Sequence, residues 1–315
     1  MRGPGAEEAR IEALLSKGRG EGQVLVTVEL GRTGRKIARI GLGGMWLSIE
    51  GRPDREQAKR VIRRAVDLGV TFIDTADVYC LDDDDLNHNE RLVAETLDEI
   101  GGGESVLVAT KGGLTRPGGR WEADARPEML REAALRSRGA LGVETIALYQ
   151  LHAPDPRVPF ESSVEELAAL QQDKVVGAVG LSNVDLDEVR AAEAITTISS
   201  IQNRYNPWDL TSEESGLLDH CDERGITFIP YSPLGGARRV KLLQAHEPIQ
   251  RLGAELDATP AELVLAWQLA KSERSVPIPS ARREGSIESS VRAASLGLDD
   301  ETAAALEAAF ASLPP

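Results

Sequence analysis

The sequence predicts an α/β fold: a parallel (β/α)8 TIM barrel with a β-hairpin across its bottom and an extra helix at its C-terminal end. Three observations lead there. Short apolar, β-branched segments recur eight times, they alternate with longer stretches whose apolar residues fall three and four apart, and several of those stretches end in Gly just before the next segment. Strands that are apolar on both faces belong to a parallel sheet covered by helices. Eight strand–helix units of this kind close into a barrel.

Taken in order, residues 1–23 read as an N-terminal tail or extra helix, and residues 24–315 as one barrel domain. VLVTVEL and the segment beginning RKIARI flank a turn at Gly31–Gly34, which predicts the hairpin that plugs one barrel end. The candidate strands are Ile37–Leu42, Thr71–Ile73, Ser105–Thr110, Thr145–Gln150, Val176–Leu181, Ser199–Gln202, Thr227–Pro230 and Ser275–Ile278. Between them REQAKRVIRRAVDLG, NERLVAETLDEIG, RPEMLREAALRSRGALG, SSVEELAALQQDK, VDLDEVRAAEAI and SGLLDHCDERG carry helical periodicity, and LDDETAAALEAAFASL supplies the extra C-terminal helix. No low-complexity linker marks a boundary, and 315 residues suit a single barrel.

Composition narrows the function. With 36 basic against 51 acidic residues the net charge is −15, which repels nucleic acid and anionic membranes, so any anionic ligand needs a local basic island. No apolar run approaches the roughly 20 residues of a membrane span, and the first 23 residues lack the apolar core of a secretory signal. Two cysteines, Cys80 and Cys221, imply no disulfide framework. A soluble, cytoplasmic protein acting on a small molecule is expected, of undetermined oligomeric state.

In such barrels the chemistry sits at the C-terminal strand ends. Asp74 and Tyr79 follow the second candidate strand, Lys111 the third and His152 the fourth, so the four are expected to converge. Charged residues beside apolar strand ends need partners. One histidine is too few for a catalytic zinc site, so no metal is expected.

These residues carry a resemblance. DTADVY, ATKGG and YQLHAPDP, followed in order by VGAVGLSNVD, SIQNRYN, IPYSPLGG and VPIPSARR, resemble the motifs of the aldo-keto reductases from about Val24 onward. The resemblance implies reversible, nicotinamide-dependent reduction of an aldehyde or ketone. In carbonyl reduction negative charge grows on oxygen, so a proton donor is needed. Tyr79 is the implied donor, Lys111 the ammonium expected to lower its pKa, Asp74 the partner of that ammonium, and His152 the group that holds the substrate oxygen. Ser182, Asn183 and Gln202 are implied to bond the carboxamide and Tyr231 to stack on the ring. Further cofactor contacts are implied at Gly44, Met45, Asp74, Ser232, Pro233, Leu234, Ser280, Arg282, Ser286, Ser289 and Ser290.

No GxGxxG follows the first strand, which argues against a Rossmann site. Arg282 and Arg283 form the basic island that an acidic protein needs, and a guanidinium fork suits a 2′-phosphate, so NADPH is favoured over NADH. Many relatives have a Glu-Asn pair where this chain has Ser289 and Ser290. Trp46, Trp121 and Trp208, with Tyr79 and His152, are candidate walls of the substrate pocket. Asp82–Asp85 fall in an enlarged loop, where Cys80 replaces the usual Gly and Glu90 arrives late. That run reads as a solvated loop, as a steering surface for a cationic substrate, or as a divalent-ion site with His88. Two alternatives to the reductase stay open: a nicotinamide-sensing partner protein with slow turnover, and a barrel enzyme that uses bound nicotinamide for isomerisation or dehydration.

Overall fold

A computed structural model describes residues 25–103 and 105–314; the tail or helix expected over residues 1–23 lies outside the described residues. The described residues open with the expected hairpin, β1 (Thr27–Glu29) against β2 (Lys36–Ala38), antiparallel with Val28 opposite Ile37. The barrel wall then begins with β3 (Leu42–Gly43), α1 (Arg55–Asp67), β4 (Phe72–Asp74), α2 (His88–Glu99) and β5 (Leu107–Gly112). A two-stranded antiparallel excursion, β6 (Leu114–Thr115) with β7 (Glu122–Ala123), precedes α3 (Pro127–Leu141). Alternation resumes with β8 (Leu148–Leu151), α4 (Phe160–Gln172), β9 (Val179–Ser182), α5 (Leu186–Glu193) and β10 (Ile198–Gln202). Two helices, α6 (Thr211–Glu214) and α7 (Leu217–Arg224), lead to β11 (Thr227–Phe228). Five more follow: α8 (Ala237–Ala245), α9 (Glu247–Glu255), α10 (Pro260–Lys271), α11 (Glu284–Ala293) and α12 (Asp300–Phe310).

Seven strands pair in the order β11-β10-β9-β8-β5-β4-β3, every pair parallel. The eighth candidate strand, Ser275–Ile278, is not a regular strand, because Pro277 and Pro279 have no N–H to give. It still closes the wall. The N–H groups of Val276 and Ile278 donate to Phe228 and Pro230, while the carbonyls of Pro277 and Pro279 accept from Gly41 and Gly43. Ile37–Leu42 likewise divides, its first residues in the hairpin and its last in β3.

Alternation along the strands sorts side chains between the barrel interior and the helical layer. Phe72, Leu107, Ala109 and Leu148 share one buried cluster with Leu30 and Ile37 of the hairpin, whereas Ile73, Tyr149 and Leu151 join the clusters beneath the helices. The hairpin therefore stoppers the interior at the N-terminal strand ends. It is pinned there by Gly31 N–H donating to Thr227 Oγ1 at 2.8 Å and Ala38 N–H to Thr71 Oγ1 at 2.8 Å. Gly31 has φ +52°, and a Cβ on it would lie 2.7 Å from the Ser199 backbone. Gly31→Ala is expected to cost about 2 kcal/mol through strain and overpacking, read as a lower urea midpoint at unchanged slope.

Candidate active site

Above that apolar plug the inward positions turn polar. Asp74 ends β4, Lys111 lies near the end of β5 opposite Gln150 of β8, and His152 follows β8 directly. The inward series Leu107, Ala109, Lys111 places the ammonium inside the barrel, while Thr110 between them turns outward to donate to Glu90. Lys111 Nζ donates to Asp74 Oδ2 at 2.6 Å, to the Thr75 carbonyl at 2.9 Å and to Tyr79 Oη at 3.0 Å. Asp74 Oδ1 accepts from Gln202 Nε2 at 2.7 Å and Gln150 Nε2 at 3.4 Å. Asp74, Tyr79, Lys111 and His152 thus converge, as the strand-end argument requires. The loop that carries Tyr79 is tied down by Thr75 Oγ1 donating to Asn89 Oδ1, whose amide in turn donates to the Gly44 carbonyl and Ser48 Oγ.

Lys111 is fully buried and Asp74 nearly so. Burial pushes the Lys111 pKa down, opposed by Asp74, and pushes Tyr79 well above the usual phenol value, with Asp74 reinforcing the rise. Lys111 is expected to favour the ionised phenol, and burial with the Asp74 carboxylate acts in the opposite direction. Tyr79 holds its proton at neutral pH. His152 is held well below the usual imidazole value by burial and then by Lys111, so its ring is neutral. Its Nδ1 is buried and unpartnered among the described residues, which leaves Nε2 as the ring nitrogen open to the cavity.

A cavity of about 930 Å³ opens above these groups. Ser182, Asn183, Gln202 and Tyr231 line one flank. Asn183, at φ +59°, donates to the His152 carbonyl at 2.8 Å and accepts from Tyr231 Oη at 2.7 Å. Ser232, Pro233, Leu234, Ser280, Arg282 and Ser286 also line the cavity, with Met45 and Trp46. The Arg282 guanidinium lies 4.5 Å from the Trp46 ring centroid. Arg204 also lines the cavity, its guanidinium 5.8 Å from the Tyr231 ring. It stands inside the SIQNRYN motif, but nothing in its spacing separates it from a surface arginine.

Five candidate residues lie off the cavity lining. Lys111 sits behind it, and Gly44 donates its N–H to the Asp74 carbonyl while Gly43 takes the lining position. Ser289 donates to Glu262 of α10, and Ser290 turns its hydroxyl back to the Ser286 carbonyl one helical turn earlier. Trp208 lies under Arg239 and donates to the Pro314 carbonyl, so it is no pocket wall. Trp121 is one, edge-on to Tyr79 at 6.4 Å and to His152 at 6.3 Å.

None of Asp82–Asp85 lines the cavity either. Asp82 caps a short 3-10 turn over Asp83–Asp85, and Asp85 accepts from Arg52 at 2.5 Å and from the Leu81 N–H, while Asp83 and Asp84 face solvent. His88 bonds Ser48 Oγ through Nδ1. The solvated-loop reading fits this arrangement.

The aldo/keto reductase family model matches residues 39–311. The chain belongs to that family. It is 33% identical over 276 residues to an uncharacterised oxidoreductase of Schizosaccharomyces pombe, covering 86% of each chain. An aldo-keto reductase of Strobilurus tenacellus is 31% identical over 314 residues, with 90% of this chain and 89% of that one covered. A thermostable aldo-keto reductase solved with the inhibitor epalrestat superposes with a TM-score of 0.78 at 27% identity, covering 90% of this chain and all of that one. This aldo-keto reductase is accordingly an oxidoreductase of carbonyl or alcohol groups that works with a nicotinamide cofactor, built on a (β/α)8 fold. Among the described residues no helix is long and apolar enough to cross a membrane, and no group of three or more His, Cys, Asp or Glu could hold a metal ion.

Proposed function

We propose that this aldo-keto reductase reduces an aldehyde or ketone to an alcohol with NADPH, Tyr79 giving the proton. The observation that carries the reading is the buried Asp74–Lys111–Tyr79 chain at the floor of a cavity large enough for a dinucleotide and a small substrate. The nicotinamide supplies the hydride when bound. Tyr79 Oη then protonates the oxygen as charge grows on it, and the same phenol accepts the proton in the reverse direction. Lys111 fixes the phenol hydroxyl and offers positive charge as the phenolate forms. Asp74 keeps that ammonium protonated and in place. His152 orients the substrate oxygen through its open Nε2.

The residues present fit the cofactor. Ser182, Asn183 and Gln202 offer hydroxyl and amide groups to a carboxamide, and Tyr231 offers a flat ring beside them. Arg282 and Arg283 are exposed at the far rim, where two guanidinium forks would hold a 2′-phosphate. Both cysteines are buried and unpaired, which suits a reducing compartment and a cytoplasmic site of action.

The choice of NADPH is tested by Arg282→Ala/Arg283→Ala. Loss of charge-assisted bonds to one phosphate is expected to weaken NADPH binding about 30-fold and leave NADH within about two-fold. Fluorescence titration with both nucleotides reads this directly, and equal weakening of the two would remove the case for a phosphate site.

A further inference from the structure

Arg116 is fully enclosed, at 1% exposure, in the excursion between β5 and β7. A buried guanidinium is costly unless acceptors surround it, and an apolar side chain of similar length would fill the same space. Its Nη2 donates to Glu50 Oε1 at 2.7 Å and to the carbonyls of Cys80 and Leu81 at 3.2 Å each. Its Cζ lies 4.1 Å from the centroid of the Trp121 ring. Those contacts gather three separate segments: the loop after β3, the residues directly following Tyr79, and the indole at the cavity mouth. Close approach is possible because Gly118 and Gly119 turn the chain at φ +55° and +82°, with Gly119 packed against the Leu81 carbonyl.

We infer that Arg116 is a positioning residue that fixes Trp121 beside Tyr79 and His152 and so makes the site selective for planar carbonyl compounds. Trp121 is 44% exposed and lines the cavity, with the guanidinium over its ring. Tyr79, His152 and Trp121 meet edge to face in a triangle, with centroid separations of 5.8–6.4 Å. A flat π-system whose carbonyl oxygen reaches Tyr79 and His152 lies along the indole; a short alkyl chain gains little from it. An indole held by a buried cation and edge contacts keeps that surface in one orientation, so stacking does not cost the freedom of a mobile side chain.

The inference rests on the proposed roles of Tyr79 and His152, and its test separates the two. Benzaldehyde and butanal are compared in wild type, Arg116→Met, Glu50→Gln, Trp121→Ala and the Arg116→Met/Trp121→Ala double variant. Arg116→Met is expected to raise KM for benzaldehyde about ten-fold relative to butanal, the scale of one desolvated cation–ring contact, with kcat and NADPH affinity within about two-fold. It should add nothing once Trp121 is Ala. Glu50 is 61% exposed, so Glu50→Gln leaves the fold secure and should shift KM in the same direction by a smaller factor. Equal changes for both aldehydes, or additive effects in the double variant, would overturn the inference. A second readout needs no turnover: in protein labelled with 5-fluorotryptophan, the Trp121 fluorine resonance should move or broaden in Arg116→Met and Glu50→Gln. A resonance unmoved by either variant would overturn the positioning role. Wild-type protein that binds NADPH but reduces neither aldehyde would instead count against the function proposed above, with the fluorine result still deciding the role of Arg116.

Discussion

Replacing Tyr79 with Phe is expected to lower kcat for carbonyl reduction about 10³-fold, the middle of the range for a positioned general acid, while NADPH affinity stays within about two-fold. The ring packs against His152 and Trp121 at 5.8 and 6.4 Å, and Phe keeps those contacts, so the variant removes the hydroxyl without opening a cavity. What it exposes is the Lys111 ammonium, which loses its bond to Tyr79 Oη but retains Asp74 and the Thr75 carbonyl. Folding should therefore change little. The pH profile gives an independent check. Burial and Asp74 raise the phenol's pKa, so the protonated, donating form persists through neutral pH. Reductive kcat/KM should stay flat from pH 7 and fall only above about 10, the ordinary phenol value, whereas alcohol oxidation should keep rising over the same range. Undiminished turnover by Tyr79→Phe would remove Tyr79 from the mechanism. A reductive profile falling near pH 7 would point to a different acid.

Much of the barrel was legible in the sequence because strand and helix periods differ. Segments such as REQAKRVIRRAVDLG and SGLLDHCDERG carry one apolar face and became α1 and α7. Five helices, α6 and α8–α11, match none of those segments; α10 among them is buried from Glu262 to Gln268 without a break, so it has no polar face to set a period. The last strand was only half legible, since prolines remove the donors that define a regular ladder while its carbonyls still accept from Gly41 and Gly43. At the site, the four convergent residues could be placed from strand ends alone. Register supplied the rest: Gln150 and Ser200 sit on inward positions under Asp74, and neither differs in sequence from an ordinary strand polar residue. Ser289 and Ser290 show the converse. A motif position carries only residue type, and which way a serine hydroxyl turns on α11 depends on Glu262 and on its own preceding turn.

Lys111→Met should cost both activity and stability, and the two losses can be separated. With the ammonium gone, Asp74 remains at 1% exposure, held by the amides of Gln202 and Gln150. Stranding one member of a buried ion pair typically costs 3–5 kcal/mol, and the two amide donors should hold the loss to about 3 kcal/mol. The double variant Asp74→Asn/Lys111→Met leaves no uncompensated charge, and a buried pair replaced by neutral groups of similar volume is often energetically neutral, so it should regain about 2 kcal/mol of that loss. Activity should not return with it. Tyr79 would still lack the donor 3.0 Å from its hydroxyl that steadies the developing phenolate, and kcat should remain about 10²-fold or more below wild type. Urea denaturation and single-turnover rates on the same three proteins read the two quantities. If activity recovered in step with stability, Lys111 would be holding the barrel together and taking no part in the proton transfer; if stability failed to recover, the buried charge on Asp74 would not be what its removal exposes.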